Sequence, residues 1–321
     1  MDWRRLTPSR VARALVRRAR PRLHAAGAWI SGRVDRVRAT VDPHIEIPDE
    51  RRLRFANRFS LARVTGSGPD VSLTSYGERL STVHLAIESI ARGEVKPRAL
   101  YLWIDDPERL ATLPRSLRRL QRRGLTIGRS DPYGPHTKYY PYLLQVAEPA
   151  APLVTADDDI VYPRSWLEGL AAAAAAAPDQ VHCYRAHRIR IEDGRIAPYL
   201  SWHPCLDTVT TSLNFPTGVS GVIYPPSVLR QAKAEGTAFL ERCPAADDVW
   251  LHHCAVAAGA PARQVTPVQQ HFPMIEGSQV VTLMSNNTYS GGNDGQIRRT
   301  YTASDVAVLV AAAAAGQDRV R

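Results

Sequence analysis

Cysteine is scarce in this chain: four in 321 residues, Cys183, Cys205, Cys243 and Cys254, with no C-x-x-C pair. Such spacing excludes a disulfide framework and fits a reducing compartment. No run of 18 apolar residues occurs, which excludes a spanning helix, and the Ala171–Ala177 run is too short to substitute. No apolar signal-peptide core follows the N-terminus. Neither a G-x-G-x-x-G fingerprint nor a P-loop is present, so neither explains the polar clusters described below. Lysine is rare too: Lys138 is the only one between Lys96 and Lys233 in an arginine-rich protein.

What is present is charge, unevenly placed. The net charge is +10, and residues 1–40 hold 11 arginines against Asp2 and Asp35, so the body is nearly neutral. Within this arm Val11, Leu15, Ala19 and Leu23 recur every four residues between arginines, a basic amphipathic pattern interrupted by Pro21. Such segments attract anionic membrane surfaces at about 1 kcal/mol per basic residue. Nucleic acid is the competing partner and a solvated tail the plain alternative. The expectation is a membrane surface and no nucleic acid, with a cytoplasmic protein peripheral on the inner face of the cell membrane.

Residues 41–69 read as a linker with one helix. From position 70 strand and helix alternate. "DVSLTSYG", "RALYLWIDD", "LTIGRS" and "PLVTADDD" read as strands, with helical stretches between them at "ERLSTVHLAIESIARG", "PERLATLPRSLRRLQRRG", with a break at Pro114, and "TKYYPYLLQVAE". That alternation predicts an α/β fold with a mostly parallel sheet, whose ligands sit at the carboxyl ends of strands. Further on, "VHCYRAHRIRIEDGRI" reads as one hairpin turning at "EDG", and residues 304–321 as an Ala-rich tail.

Polar residues gather at those strand ends. In "TADDDIVYP" three carboxylates follow an apolar run. Strand alternation puts Asp157 and Asp159 on one face and Asp158 on the other. Two carboxylates about 5 Å apart at an effective dielectric of about 20 repel by roughly 3 kcal/mol. Three exits exist: capping of the next helix, protonation of one acid, or a divalent cation between them.

The segments "VSLTSYGERL", "HTKYYP", "TADDDIVYP", "TGVSGVIYPP" and "ADDVWL", in that order, resemble a GT-A-fold glycosyltransferase of the kind that builds bacterial capsule and cell-surface polysaccharides. The resemblance covers residues 70–303. It implies a Rossmann-like, mixed and mostly parallel sheet flanked by helices. It also implies transfer of a sugar, a hexose in kind, from a nucleotide-sugar donor to a saccharide or glycolipid hydroxyl. Asp157 and Asp159 then form a DxD pair on Mn²⁺ or Mg²⁺ bridging the donor phosphates, and Asp158 holds the loop or a sugar hydroxyl. Thr74, Tyr76 and Arg79 fall where the family binds nucleotide: Tyr76 stacks on the base and Arg79 reaches a phosphate. Asp105 meets the base edge and Lys138 a phosphate. Asp248 is the general base of an inverting reaction, with Asp247 as the other candidate for that role. Gly218, Ser220 and Gly221 form a loop close to the sugar, Trp250 an acceptor wall, and His271 a late addition to the metal. His252, His253 and Cys254 look metal-like, but successive helical residues point about 100° apart, so their reading is structural.

A nucleotidyltransferase also uses paired acids and Mg²⁺ on an α/β sheet, but "SLTSYGERL" poorly matches its Gly-rich basic loop. A non-catalytic binding protein would not need acids at both places.

Overall fold

The computed structural model describes residues 46–278 and 292–318. The basic arm of residues 1–40 lies outside the described residues, as do residues 41–45.

Seven strands form the central sheet: β1 (Asp70–Thr74), β2 (Leu100–Ile104), β3 (Leu125–Arg129), β4 (Leu153–Thr155), β5 (Val181–Cys183), β6 (Val222–Tyr224) and β7 (Ala262–Gln264). Their order is β7-β5-β6-β4-β1-β2-β3. β1 runs parallel to β2 and β4, β2 to β3, and β5 to β7, while β6 is antiparallel to both its neighbours. This is the mixed, mostly parallel sheet that the GT-A resemblance implies. Leu73, Leu100, Leu102, Val154 and Ile223 are fully buried or nearly so, as expected for strands covered on both faces.

The chain goes from β1 outward to β2 and β3, then returns to place β4 on the other side of β1. Connections on either side of such a point leave in opposite directions and open a crevice at the strands' carboxyl ends. The three aspartates lie immediately after β4, and Ser75 to Arg79 immediately after β1. The topology therefore brings both to the mouth of one crevice.

Several segments differ from the sequence reading. The helix expected in the linker is Glu50–Phe59, capped by Asp49, and it packs onto the body instead of lying in a free connector. Its Leu53 packs with Leu85, Ala86, Val161 and Ile275, and its Asn57 donates to Glu88, which also pairs with Arg123. The helix is part of the body because one narrow face carries these contacts. The region 181–196 is not a single hairpin. Val181–Cys183 joins the central sheet, Ala186–Arg188 pairs with Asn214–Pro216 and His203–Pro204, and only Ile191–Glu192 and Arg195–Ile196 turn on each other. Alternation alone does not say which sheet a strand joins. The Ala-rich C-terminal stretch is the helix Ala303–Asp318, docked through buried Leu309 and through Asp305, which bonds His253 Nδ1 at 2.9 Å.

The four cysteines are free and buried, and no helix among the described residues is long and apolar enough to cross a membrane.

Gly221 illustrates how the loop before β6 is constrained. Its φ is +93°, and a Cβ there would stand 2.6 Å from the Trp166 indole nitrogen. Gly221→Ala is expected to cost about 2 kcal/mol in urea unfolding, from strain and overpacking together.

Candidate active site

Residues from five segments meet at the crevice. The Gly134–Lys138 turn follows β3 and is tied to β1, because Ser72 Oγ donates to the Lys138 carbonyl at 2.7 Å. It is also tied to the segment before Asp247: His136 Nε2 donates to the Cys243 carbonyl at 2.7 Å while Nδ1 accepts from the Tyr139 hydroxyl. Burial lowers the His136 pKa to about 4, so the ring is neutral at pH 7 and suits both bonds. Fixed in this way, the Lys138 ammonium stands 2.6 Å from Asp157 and 3.2 Å from Asp247. It joins the end of β4 to the start of the Asp247–Ala257 helix.

The three aspartates do not alternate as a strand would. β4 ends at Thr155 and the chain turns at Asp158 and Asp159, so both reach Arg79, at 2.8 and 3.2 Å, while Asp157 reaches Lys138. This corrects the expectation that Asp158 points away from its neighbours' side. Asp158 also accepts from Ser75 Oγ at 2.6 Å, which fastens the β1 loop. The Asp157 amide donates to the buried Tyr162 hydroxyl at 2.7 Å. None of the three caps the Trp166–Ala176 helix, whose N-cap is Ser165 without a side-chain bond.

Asp247 and Asp248 open their helix, but the N-cap is Ala246, and no cap bond is made. Asp248 instead accepts from the Gly218 amide at 2.9 Å. A Cβ on Gly218 would lie 3.0 Å from that carboxylate and 3.4 Å from Lys138, so glycine is what allows the backbone this close. Asp248 is half-buried. Burial, then Asp247 and Asp157, raise its pKa well above the carboxylate range, against Lys138 and the Gly218 amide. Burial, then Asp157 and Asp158, raise Asp159 to about 6. Burial also raises Asp158, opposed by Arg79. Burial works against the charge on Lys138, but Asp157, Asp247 and Asp248 outweigh it and raise its pKa.

The remaining predicted residues divide. Tyr76 is exposed at the crevice, with the Arg79 guanidinium 5.4 Å from its ring centroid. Arg79 neutralises carboxylates rather than standing open for a phosphate. Thr74 Oγ1 donates to the Trp103 carbonyl and cross-links β1 to β2. Asp105 is half-buried just past β2. Ser220 is buried, donating to the Gln270 carbonyl and accepting from Trp166 at its own, and Gly221 lies against Trp166. These two shape the loop from inside and do not face a sugar. Trp250 is fully buried against Phe239 and His253, so it forms no acceptor wall; an apolar ring on the inner side of a helix belongs to the core. His271 accepts from Arg185 Nε at 3.3 Å. Asp157, Asp159 and His271 do not assemble as three metal ligands: among the described residues no group of three or more His, Cys, Asp or Glu is arranged to hold an ion. His252 and His253 bond Tyr301, the Ser212 carbonyl and Asp305, structural contacts as expected.

The sequence reading missed Ser75, Tyr162 and His136 as supports of this cluster. Each lies inside a quoted segment, and only their partners reveal them.

No family model and no curated protein matches this chain. Among solved structures it is similar to a crystal structure of S. aureus TarS (residues 1–349), at 14% identity and TM-score 0.43 over 64% of this chain and 59% of that one. It is also similar to GalNAc-T7 solved with UDP, GalNAc and Mn²⁺, at 11% identity and TM-score 0.45, over 67% of this chain and 45% of that one. The chain thus spans less than two thirds of the length of either.

Proposed function

We propose that this chain is an inverting glycosyltransferase that moves a sugar from a nucleotide-sugar to a saccharide or lipid-linked acceptor hydroxyl. The observation that carries the reading is the Lys138 bridge, which holds the acids after β4 and the acid pair of the Asp247–Ala257 helix around one crevice. A transferase of this kind needs both: one group of charges for a diphosphate leaving group, and one carboxylate for the acceptor proton.

The donor lies across the carboxyl ends of β1 and β4, with its base over Tyr76 and toward Asp105. Asp248 takes the acceptor's hydroxyl proton while the acceptor oxygen bonds to the anomeric carbon from the far side. The bond from that carbon to the diphosphate oxygen breaks, and its electron pair leaves with the diphosphate. The Gly218 amide aims the carboxylate, and a pKa raised toward the working pH strengthens it as a base.

A divalent cation fits the donor chemistry. Five carboxylates, Asp157, Asp158, Asp159, Asp247 and Asp248, face two cations, Arg79 and Lys138, and hard cations take oxygen ligands. Mg²⁺-type sites often use only one or two carboxylates plus substrate phosphates, which Asp157 and Asp159 can supply. Bound there, the ion would stabilise the departing diphosphate.

A panel of nucleotide-sugars with Mn²⁺ should give release of nucleoside diphosphate from one of them; pyrophosphate from a nucleoside triphosphate would point to nucleotidyl transfer instead. Calorimetry of that donor should show affinity at least about tenfold weaker in EDTA, and again with Asp159→Asn. Equal affinity in all three conditions would remove the cation from the account.

A further inference from the structure

The outer face of the Glu50–Phe59 helix carries an apolar and cationic surface that shares no residue with the acidic crevice. The protein has five phenylalanines. Phe215, Phe239 and Phe272 are buried, whereas Phe55 and Phe59 are 65% and 57% exposed, and both stand on this helix. They are one turn apart and pack together at a tilt of 44°, with ring centroids 4.7 Å from each other. Leu61, just beyond, is 93% exposed. Arg51, Arg52, Phe55, Phe59 and Arg92 line a shallow groove beside them. Arg54 and Arg58 are exposed on the same helix, and the Arg58 guanidinium lies 5.3 Å from the Phe59 centroid. The inner face is anchored through Leu53, Ala56 and Asn57, so the outer rings are displayed from a fixed support.

We infer that this face is a docking surface for an anionic lipid bilayer, with Phe55, Phe59 and Leu61 entering the headgroup boundary and the arginines meeting lipid phosphates. Charge complementarity selects this occupant. The chain's own first 40 residues carry 11 arginines and would be repelled. A second copy related by a two-fold axis would set arginines against arginines. Exposed rings beside arginines are what interfacial helices use, apolar side chains in the boundary and cations at the phosphates. The contribution is separate from any made by the basic arm, and it does not depend on the catalytic reading.

The test uses the full-length protein and vesicles of phosphatidylglycerol mixed with phosphatidylcholine. Phe55→Ser/Phe59→Ser should weaken vesicle binding by about tenfold or more while leaving the melting temperature unchanged, since neither ring is buried. In Phe55→Trp, added fluorescence should be quenched by lipids brominated on the acyl chains. Unchanged vesicle affinity of the double variant, or no quenching of the new tryptophan, would overturn the inference. So would loss of binding to a single-stranded oligonucleotide with vesicle binding intact. Should the double variant fail to fold, the quenching measurement alone decides.

Discussion

Asp248→Asn is expected to lower the single-turnover transfer rate by about 10²- to 10⁴-fold, the usual contribution of a general base, with donor affinity unchanged. The amide is nearly isosteric, and its oxygen can still accept from the Gly218 N–H, so the loop stays in place. Only the proton acceptor is lost. The pH profile adds a sharper signature. Burial and Asp247 raise the pKa of Asp248, so the native rate should rise with pH along an acid limb lying above the ordinary carboxylate range of about 4. Asp248→Asn should abolish that limb. Asp247→Asn removes a neighbouring negative charge that raises Asp248, so it should move the limb to lower pH and cost comparatively little rate. If Asp247→Asn destroys the rate and Asp248→Asn leaves it, the two roles are reversed.

Lys138→Met is expected to destabilise the protein by about 3 kcal/mol in urea unfolding. Removing one partner of a mostly buried ion pair strands the other, and here two carboxylates lose their contact at once. All three side chains keep a little solvent contact, which sets the figure at the low end of the usual range for buried pairs. The same variant should shift the acid limb upward, because Lys138 lowers the pKa of Asp248. The shifts from Lys138→Met and Asp247→Asn therefore run in opposite directions. A lysine that merely filled space would leave the limb where it was, and urea titration with a pH-rate series distinguishes these outcomes.

Much of the architecture could be read from the chain. Apolar runs marked β1 to β4, and Pro114 separated two helices, Pro107–Ala111 and Arg115–Arg122, as a residue that breaks a helix should. The acids were conspicuous because so many carboxylates after an apolar run need an explanation. What the chain could not display was partnership. Lys138 stood out by its rarity, yet its bonds to Asp157 and Asp247 span stretches of sequence with no local sign of contact. Ser220, Gly221 and Trp250 were misread because a small or aromatic residue near a site packs inward as readily as it faces a ligand. The helix Glu50–Phe59 was expected, but its docking was hidden by its arginines: with Leu53, Ala56 and Asn57 alone buried, the inner stripe is too narrow to mark it as part of the body. Strand alternation failed at Asp158 because the strand had already ended.

The most direct measurement is the anomeric configuration of the transferred sugar, followed by NMR during turnover of the active nucleotide-sugar. The account predicts a first product whose configuration is opposite to the donor's, formed with one nucleoside diphosphate per sugar and lost in Asp248→Asn. Retained configuration would contradict it, because a single far-side attack assisted by one base cannot preserve the anomer.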